Sequence, residues 1–169
     1  MYTRDETCCF TGHRPEKLPW GRVETDPRCK LLKARLKDAV EAAYAEGKRH
    51  FICGMARGCD FYFAETVLSL RDRMPGVTLE AAIPCAVQSA SWSVTQKERW
   101  FGLVEACDKK TILQESYTPD CMNRRNRYMV DRSSLVIAVY DGSDGGTRRT
   151  LEYAIQKKVP FVDIDPCAK

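Results

Sequence analysis

Short apolar runs alternate along this chain with longer segments of helical spacing, and that alternation limits the fold more than any other feature. TCCFT stops at Gly12, HFICG stops at Gly54, and TLEAAIP stops at Pro84. KTIL, SLVIAVYDG and PFVDI follow as further runs. Between them, Cys29 to Glu46 carries Leu32, Leu36, Ala39, Val40 and Ala43 on one helical stripe, closed by Gly47. DFYFAETVLSLRDRM reads as a second helix, with Asp60 offered as its N-cap and Pro75-Gly76 as its stop. Trp92 to Cys107 reads as a third, with Trp100, Leu103 and Val104 toward the core. NRRNRYMVDRS and GTRRTLEYAIQKK read as the last two. Repeated strand-helix-strand units predict an α/β three-layer sandwich: a mostly parallel sheet with helices on both faces. Continuous apolar strands fit a sheet covered on both sides. At 169 residues the chain is expected to form a single domain spanning 1–169, and it shows no repeat, low-complexity segment or linker. One polar loop, from His13 to Arg28, is long enough to be functional or mobile.

Several function classes are excluded at this level. No apolar run approaches the ~20 residues that cross a bilayer. The opening MYTRDET is polar, unlike a signal peptide. A cytoplasmic protein without membrane contact is expected. The cysteines number nine, an odd count, and no CxxC occurs. Cys9, Cys53, Cys85 and Cys107 sit inside apolar or helical runs, where a free thiol behaves as a small hydrophobe. Buried reduced cysteines are therefore expected, as in a reducing compartment. With only His13 and His50 as imidazoles, no zinc spacing is visible, and neither a metal nor a cofactor is expected. The formal net charge of +4 suits a small anionic ligand but does not argue for nucleic acid. Basic residues are spread out, apart from a cluster between Arg124 and Arg132.

Three of the strands end in glycine turns: TGHRP, GMARGCD and YDGSDGGT. In a parallel sheet all three lie on one edge, the edge where ligands bind in open α/β folds. One such corner is explained by backbone geometry alone. Three, each with polar company, point to an anion or nucleotide site. Glycine lets the backbone approach a ligand, and the free amides at the helix starts after Gly58 and Gly146 suit phosphate oxygens. The ligand-binding candidates are Thr11, Gly12, His13 and Arg14 from the first corner. The second supplies Gly54, Ala56, Arg57, Gly58 and Asp60, and the third Asp141, Gly142, Gly145, Gly146 and Thr147. Gln88 and Trp92 follow the third strand at the same edge. Neither a P-loop nor GxGxxG is present.

Each candidate has a plainer reading beside the functional one. Arg57 is a phosphate partner or a solvated loop arginine. Asp60 holds a ribose hydroxyl or only caps its helix. Trp92 stacks on a base or packs on the core. Asp141 is the best remaining carboxylate for catalysis or ribose binding, or a turn aspartate bonded to its own backbone. Thr147 is a phosphate ligand or an ordinary helix-start hydroxyl. His13 is a ligand contact or a titrating group. Arg124, Arg125 and Arg127 form a solvated face or contact a partner. Asp141 and His13 are the leading candidates for catalysis, and for glycosidic cleavage Asp141 or Asp60 would have to supply the carboxylate.

TGHRP, GMARGCD, IPCAVQSASW, NRYMVDRSSLVIAVYDGSDGGT and TLEYA, in this order and spacing, resemble the SLOG superfamily (Smf/DprA-LOG), and within it the YpsA-like branch. The resemblance covers nearly the whole chain. It implies a Rossmann-like fold and a nucleotide or nucleotide-derived ligand, as in a sensor or signalling component. A homodimer is compatible with it, since relatives often pair. The related LOG enzymes, which are phosphoribohydrolases, carry PGGxGTxxE with a glutamate important for catalysis. In SDGGTRRT the Gly-Gly-Thr cradle is kept, but the glutamate position falls on Thr150. Glu152 stands two residues on, rotated ~200° around the helix. The resemblance thus supports ligand binding first and a nucleotide N-glycosidase second. Nucleic-acid binding comes third, because the DprA relatives handle single-stranded DNA and this charge pattern does not favour it.

Overall fold

In the computed structural model, which describes residues 2–167, six strands form one sheet. Positions 1, 168 and 169 of the expected domain lie outside the described residues. The strands are β1 (Thr7–Gly12), β2 (His50–Cys53), β3 (Thr78–Ile83), β4 (Lys109–Ile112), β5 (Leu135–Val139) and β6 (Phe161–Ile164). Their order is β4-β3-β2-β1-β5-β6, and every neighbouring pair is parallel. The helices are α1 (Pro27–Ala45), α2 (Cys59–Leu70), α3 (Val94–Ala106), α4 (Cys121–Asp131) and α5 (Gly146–Gln156).

The chain starts in the middle of the sheet, builds outward to β4, then returns to place β5 beside β1. Right-handed crossovers turn that reversal into two helix layers. Strand residues alternate between the layers, as the period of two requires. Phe10, Phe51, Leu79 and Ile137 pack with Leu36, Phe61 and Phe63 of α1 and α2. The Phe10 and Phe63 rings stack at 4.5 Å. Cys9, Ile52, Val136 and Ala138 pack on the other side with Met129, Val130, Leu151 and Ala154 of α4 and α5.

The second layer has two helices for six strands, and the β2–β4 half of that face is left partly open. The sequence meets this with polar side chains instead of a longer apolar surface. Glu80 of β3 is 1 % exposed yet fully partnered. It accepts from Tyr128 Oη at 2.6 Å and Thr111 Oγ1 at 2.8 Å, and lies 2.8 Å from His50 Nε2. Burial pushes its carboxyl up, but the His50, Tyr128 and Thr111 hydrogen bonds hold it down at about 2.

Helix starts differ in detail from the pattern reading. α1 begins at Pro27, because the Asp26 carboxylate accepts the Arg28 N–H at 2.8 Å and proline suits the first helical position. α3 begins at Val94, after the Ser93 cap, so Trp92 precedes the helix. The N-cap of α2 is Gly58, not Asp60. The His13–Arg28 loop is tied down: Trp20 is buried and donates to Tyr62 Oη at 3.3 Å, and Glu24 pairs with Arg99 at 2.6 Å. All nine cysteines are free and all but Cys167 are buried. Burial pushes the Cys9 and Cys107 thiols up to about 12. Among the described residues, no helix is long and apolar enough to cross a membrane.

Candidate functional site

β1 and β5 lie side by side with Gly12 opposite Val139. From there the chain leaves β1 toward one helix layer and β5 toward the other. That divergence opens a crevice at the carboxyl ends of the strands. A cleft of about 400 Å³ occupies it. Of the residues expected from sequence, Thr11, Gly12, His13, Arg14, Ala56, Asp60, Gly145, Gly146 and Thr147 line it.

The remaining candidates stand outside the lining, each for a visible reason. The Gly54 carbonyl points to the interior and accepts from Gln88 Nε2 at 2.9 Å and from Arg125 Nη1. Gln88 is itself taken up there, since its Oε1 accepts from Trp100 Nε1 at 3.0 Å. Arg57 pairs with Glu16 at 3.3 Å and lies 5.5 Å over the Trp92 ring. Trp92 in turn packs edge-on against Phe61, with ring centroids 6.0 Å apart. Gly58 holds φ 87, and a Cβ there would stand 2.9 Å from Pro15 Cδ and 3.0 Å from the His13 carbonyl. It admits the first corner to the start of α2, where the Cys59 N–H bonds that carbonyl at 3.2 Å. Asp141 and Gly142 form the turn behind His13.

His13 Nε2 lies 2.9 Å from Asp141 Oδ1 and 3.0 Å from the Asp141 backbone nitrogen. Unprotonated, Nε2 accepts the Asp141 N–H; protonated, it donates to the carboxylate. His13 is 3 % exposed, and that burial holds it below the ordinary 6.5 against the pull of Asp141. At neutral pH the imidazole is therefore uncharged. Slight desolvation raises Asp141, but the Ser143 bonds and His13 bring it down to about 2. Its Oδ1 also accepts the Ser143 N–H at 2.9 Å, so the turn reading of Asp141 is present in the geometry.

The sequence reading placed Arg125 on a solvated or partner-binding face. It is instead 4 % exposed and forms part of the cleft wall. Its Nη1 donates to the Gly54 and Ala82 carbonyls and its Nε to Asn126 Oδ1. Its Nη2 meets only the Met122 thioether, at 3.8 Å. Among the described residues no carboxylate lies within ion-pair distance. Burial pushes its pKa down, with Asp60 opposing from farther off. The signal was available, because Cys121, Arg125 and Met129 fall on one buried stripe of α4.

Arg14, Lys17 and Arg149 add three further cationic side chains around the opening. Lys17 Nζ donates to the Asp144 carbonyl and to Ser143 Oγ at 3.2 Å, beside the first turn of α5. That turn presents amides without carbonyl partners and the positive end of the helix dipole. Asp60 is 6 % exposed, and its Oδ2 accepts the Ala56 N–H at 2.9 Å. Burial pushes its carboxyl up. Thr150 is buried and donates to the Gly146 carbonyl at 2.9 Å, while Glu152 pairs outside with Arg148. Neither presents a carboxylate to the cleft. Among the described residues, no group of three or more His, Cys, Asp or Glu is arranged to hold a metal.

Comparison with known proteins follows this geometry. The family model described as the YspA SLOG family matches residues 8–161. The uncharacterized SPbeta prophage-derived protein YoqJ of Bacillus subtilis (strain 168) is 34% identical over 143 residues, which is 76% of this chain and 83% of that protein. A UPF0398 protein of Bacillus thuringiensis (strain Al Hakam) is 25% identical over 151 residues, 88% of this chain and 81% of that one. Among solved structures, the single-stranded-DNA-binding DNA processing protein A from Helicobacter pylori superposes with a TM-score of 0.62 at 13% identity. The match covers 95% of this chain and 65% of that one. TM1055 gives 0.57 at 13% identity, covering 92% and 72%. At such identities these structures bear on the fold, which is Rossmann-like α/β.

Proposed function

The chain belongs to the YspA SLOG family, and on that premise we propose that its cleft binds a nucleotide or nucleotide derivative, as a sensor or signalling component of the cytoplasm. The carrying observation is Arg125, a guanidinium 4 % exposed with no carboxylate in ion-pair distance among the described residues. Burying an unpaired cation costs several kcal/mol, so a fold that keeps one favours an anion beside it. Arg14, Lys17, Arg149 and the α5 N-terminus add to the same field. A volume of about 400 Å³ exceeds what a bare oxyanion fills and suits a small organic ligand. Asn123 and Asn126, also in the lining, offer amides to a base edge. Buried free thiols fit a reducing compartment.

Isothermal titration with a panel of nucleotides and ADP-ribose derivatives tests this. Saturable binding to the wild type, lost in Arg125→Met, is the expected result. Failure of every phosphorylated compound to bind sinks the proposal.

A nucleotide N-glycosidase is the second reading. The observation in its favour is Asp60, a buried carboxyl facing the cleft with its pKa pushed up by burial, as in a general acid. Release of free base from nucleoside monophosphates, abolished by Asp60→Asn, would promote it. A folded sample that releases none removes it. The nucleic-acid reading is weaker: Arg127 pairs with Asp120, and Arg148 with Asp144 and Glu152, which breaks up the basic surface. Failure to shift labelled oligonucleotides at low salt is the expected result.

A further inference from the structure

The cleft opens sideways into a second cavity. This groove, of about 280 Å³, shares Asn123, Asn126 and Arg149 with the cleft lining. It runs between α4 and α5. Arg149, Tyr153 and Gln156 line it at spacings i, i+4 and i+7, which puts them on one face of α5 over about 10 Å of helix. Asn123 and Asn126, three residues apart, line it from α4.

The groove holds groups that the fold leaves free. Arg127 pairs with Asp120, and Arg148 with Asp144 and Glu152, whereas Arg149 has no carboxylate partner among the described residues. Glu152 is the one carboxylate among the described lining residues, and Arg148 holds it at 3.0 Å. Thr150 is buried and neutral, with its hydroxyl donated to the Gly146 carbonyl. The Tyr153 hydroxyl goes to Asp131 at 2.7 Å, so the groove receives the ring rather than the oxygen. Asn126 Oδ1 takes Arg125 Nε, which leaves the Asn126 amide N–H groups as donors. From the cleft outward, an unpaired guanidinium is followed by an aromatic ring and side-chain amides. The first suits a phosphate, the second a base. A mononucleotide seated in the cleft, with its phosphate on the α5 N-terminus, leaves this groove unfilled.

We infer that the ligand has two nucleoside halves joined through phosphate, with one half in the cleft, the joining phosphate at Arg149 and the second base in the α4–α5 groove on Tyr153. This rests on the nucleotide reading above and adds to it the length of the ligand and how it divides. The second half lies along the helix layer, not across the neighbouring strands where an open α/β sheet takes it.

Titration with adenosine 5′-monophosphate, adenosine 5′-diphosphate, diadenosine 5′,5′-diphosphate and an oligoadenylate tests it. The wild type should bind the dinucleotide at least about tenfold tighter than the monophosphate, the effect of one stacked base. Tyr153→Ala should narrow that ratio to within about twofold. The diphosphate should bind tighter than the monophosphate in wild type and equally in Arg149→Gln. The wild-type ratios need no variant, so a poorly folded substitution does not decide the outcome. Equal wild-type affinity for the monophosphate and the dinucleotide overturns the inference and leaves nucleotide binding standing. A dinucleotide preference that survives Tyr153→Ala also overturns it. Oligoadenylate binding tighter than the dinucleotide overturns it in favour of a nucleic-acid strand. Failure of all four to bind, repeated with the guanosine series, overturns both readings.

Discussion

His13 Nε2 and the Asp141 carboxylate meet at 2.9 Å across the line where the sheet reverses its strand order. The contact joins the first glycine corner to the third. It is a hydrogen bond of a neutral imidazole to a turn, and it shapes the cleft wall rather than donating charge to it. By NMR, the His13 ring should titrate below 6.5, and Asp141→Asn should lower its pKa further, because Asp141 is the group that raises it. The unfolded chain then binds more protons just below pH 6.5, so stability falls as pH drops through that value toward the folded pKa. His13→Gln should flatten this part of the pH profile. A His13 pKa at or above 6.5 contradicts the assignment.

Arg125 predicts a separation of affinity from stability. Arg125→Met should abolish anion binding while leaving the unfolding free energy within about 1 kcal/mol of wild type, since an apolar side chain removes a buried charge. Urea denaturation and calorimetric titration on the same sample check both halves. Retained affinity would show that the guanidinium serves packing alone.

Gly54 lies outside the cleft but controls it. A Cβ there would run into the Arg125 guanidinium. Gly54→Ala should therefore displace Arg125, weaken ligand binding, and cost about 1–3 kcal/mol from crowding. Unchanged affinity in a folded Gly54→Ala protein argues that Arg125 has no fixed position to lose.

Glu80 makes the opposite prediction, stability without affinity. Glu80→Ala should cost about 3 kcal/mol by stranding His50, Tyr128 and Thr111 and leave ligand binding unchanged. Its folded pKa of about 2 lies below the ordinary 4.5, so its contribution is present above 4.5 and lost as pH falls toward 2. Acid unfolding monitored by circular dichroism should shift to lower pH in wild type than in Glu80→Gln.

Much of this was legible in the sequence. The six strands and five helices follow from apolar runs and helical spacing, and the glycine corners mark the edge that carries the cleft. What eluded the pattern has physical causes. Asp60 looks like a cap because it follows a turn, yet Gly58 at positive φ already starts the helix. Arg57 and Gln88 sit at the right edge, but Glu16, Trp92 and the Gly54 carbonyl claim them first. Arg125 was hidden in a basic cluster whose neighbours do face solvent. Position on a stripe, not charge, separates it from them.

The strand order also dictates how the molecule comes apart. β1 through β4 pair each with its neighbour in sequence, whereas the β1–β5 seam joins segments as far apart as His13 and Asp141, 128 positions from one another. Closing that seam is the costliest loop closure in the sheet, so it forms late and opens early. The cleft straddles it. A molecule held there works as a fastener between the two halves of the chain and slows their parting, so occupancy should lengthen the lifetime of the fold itself.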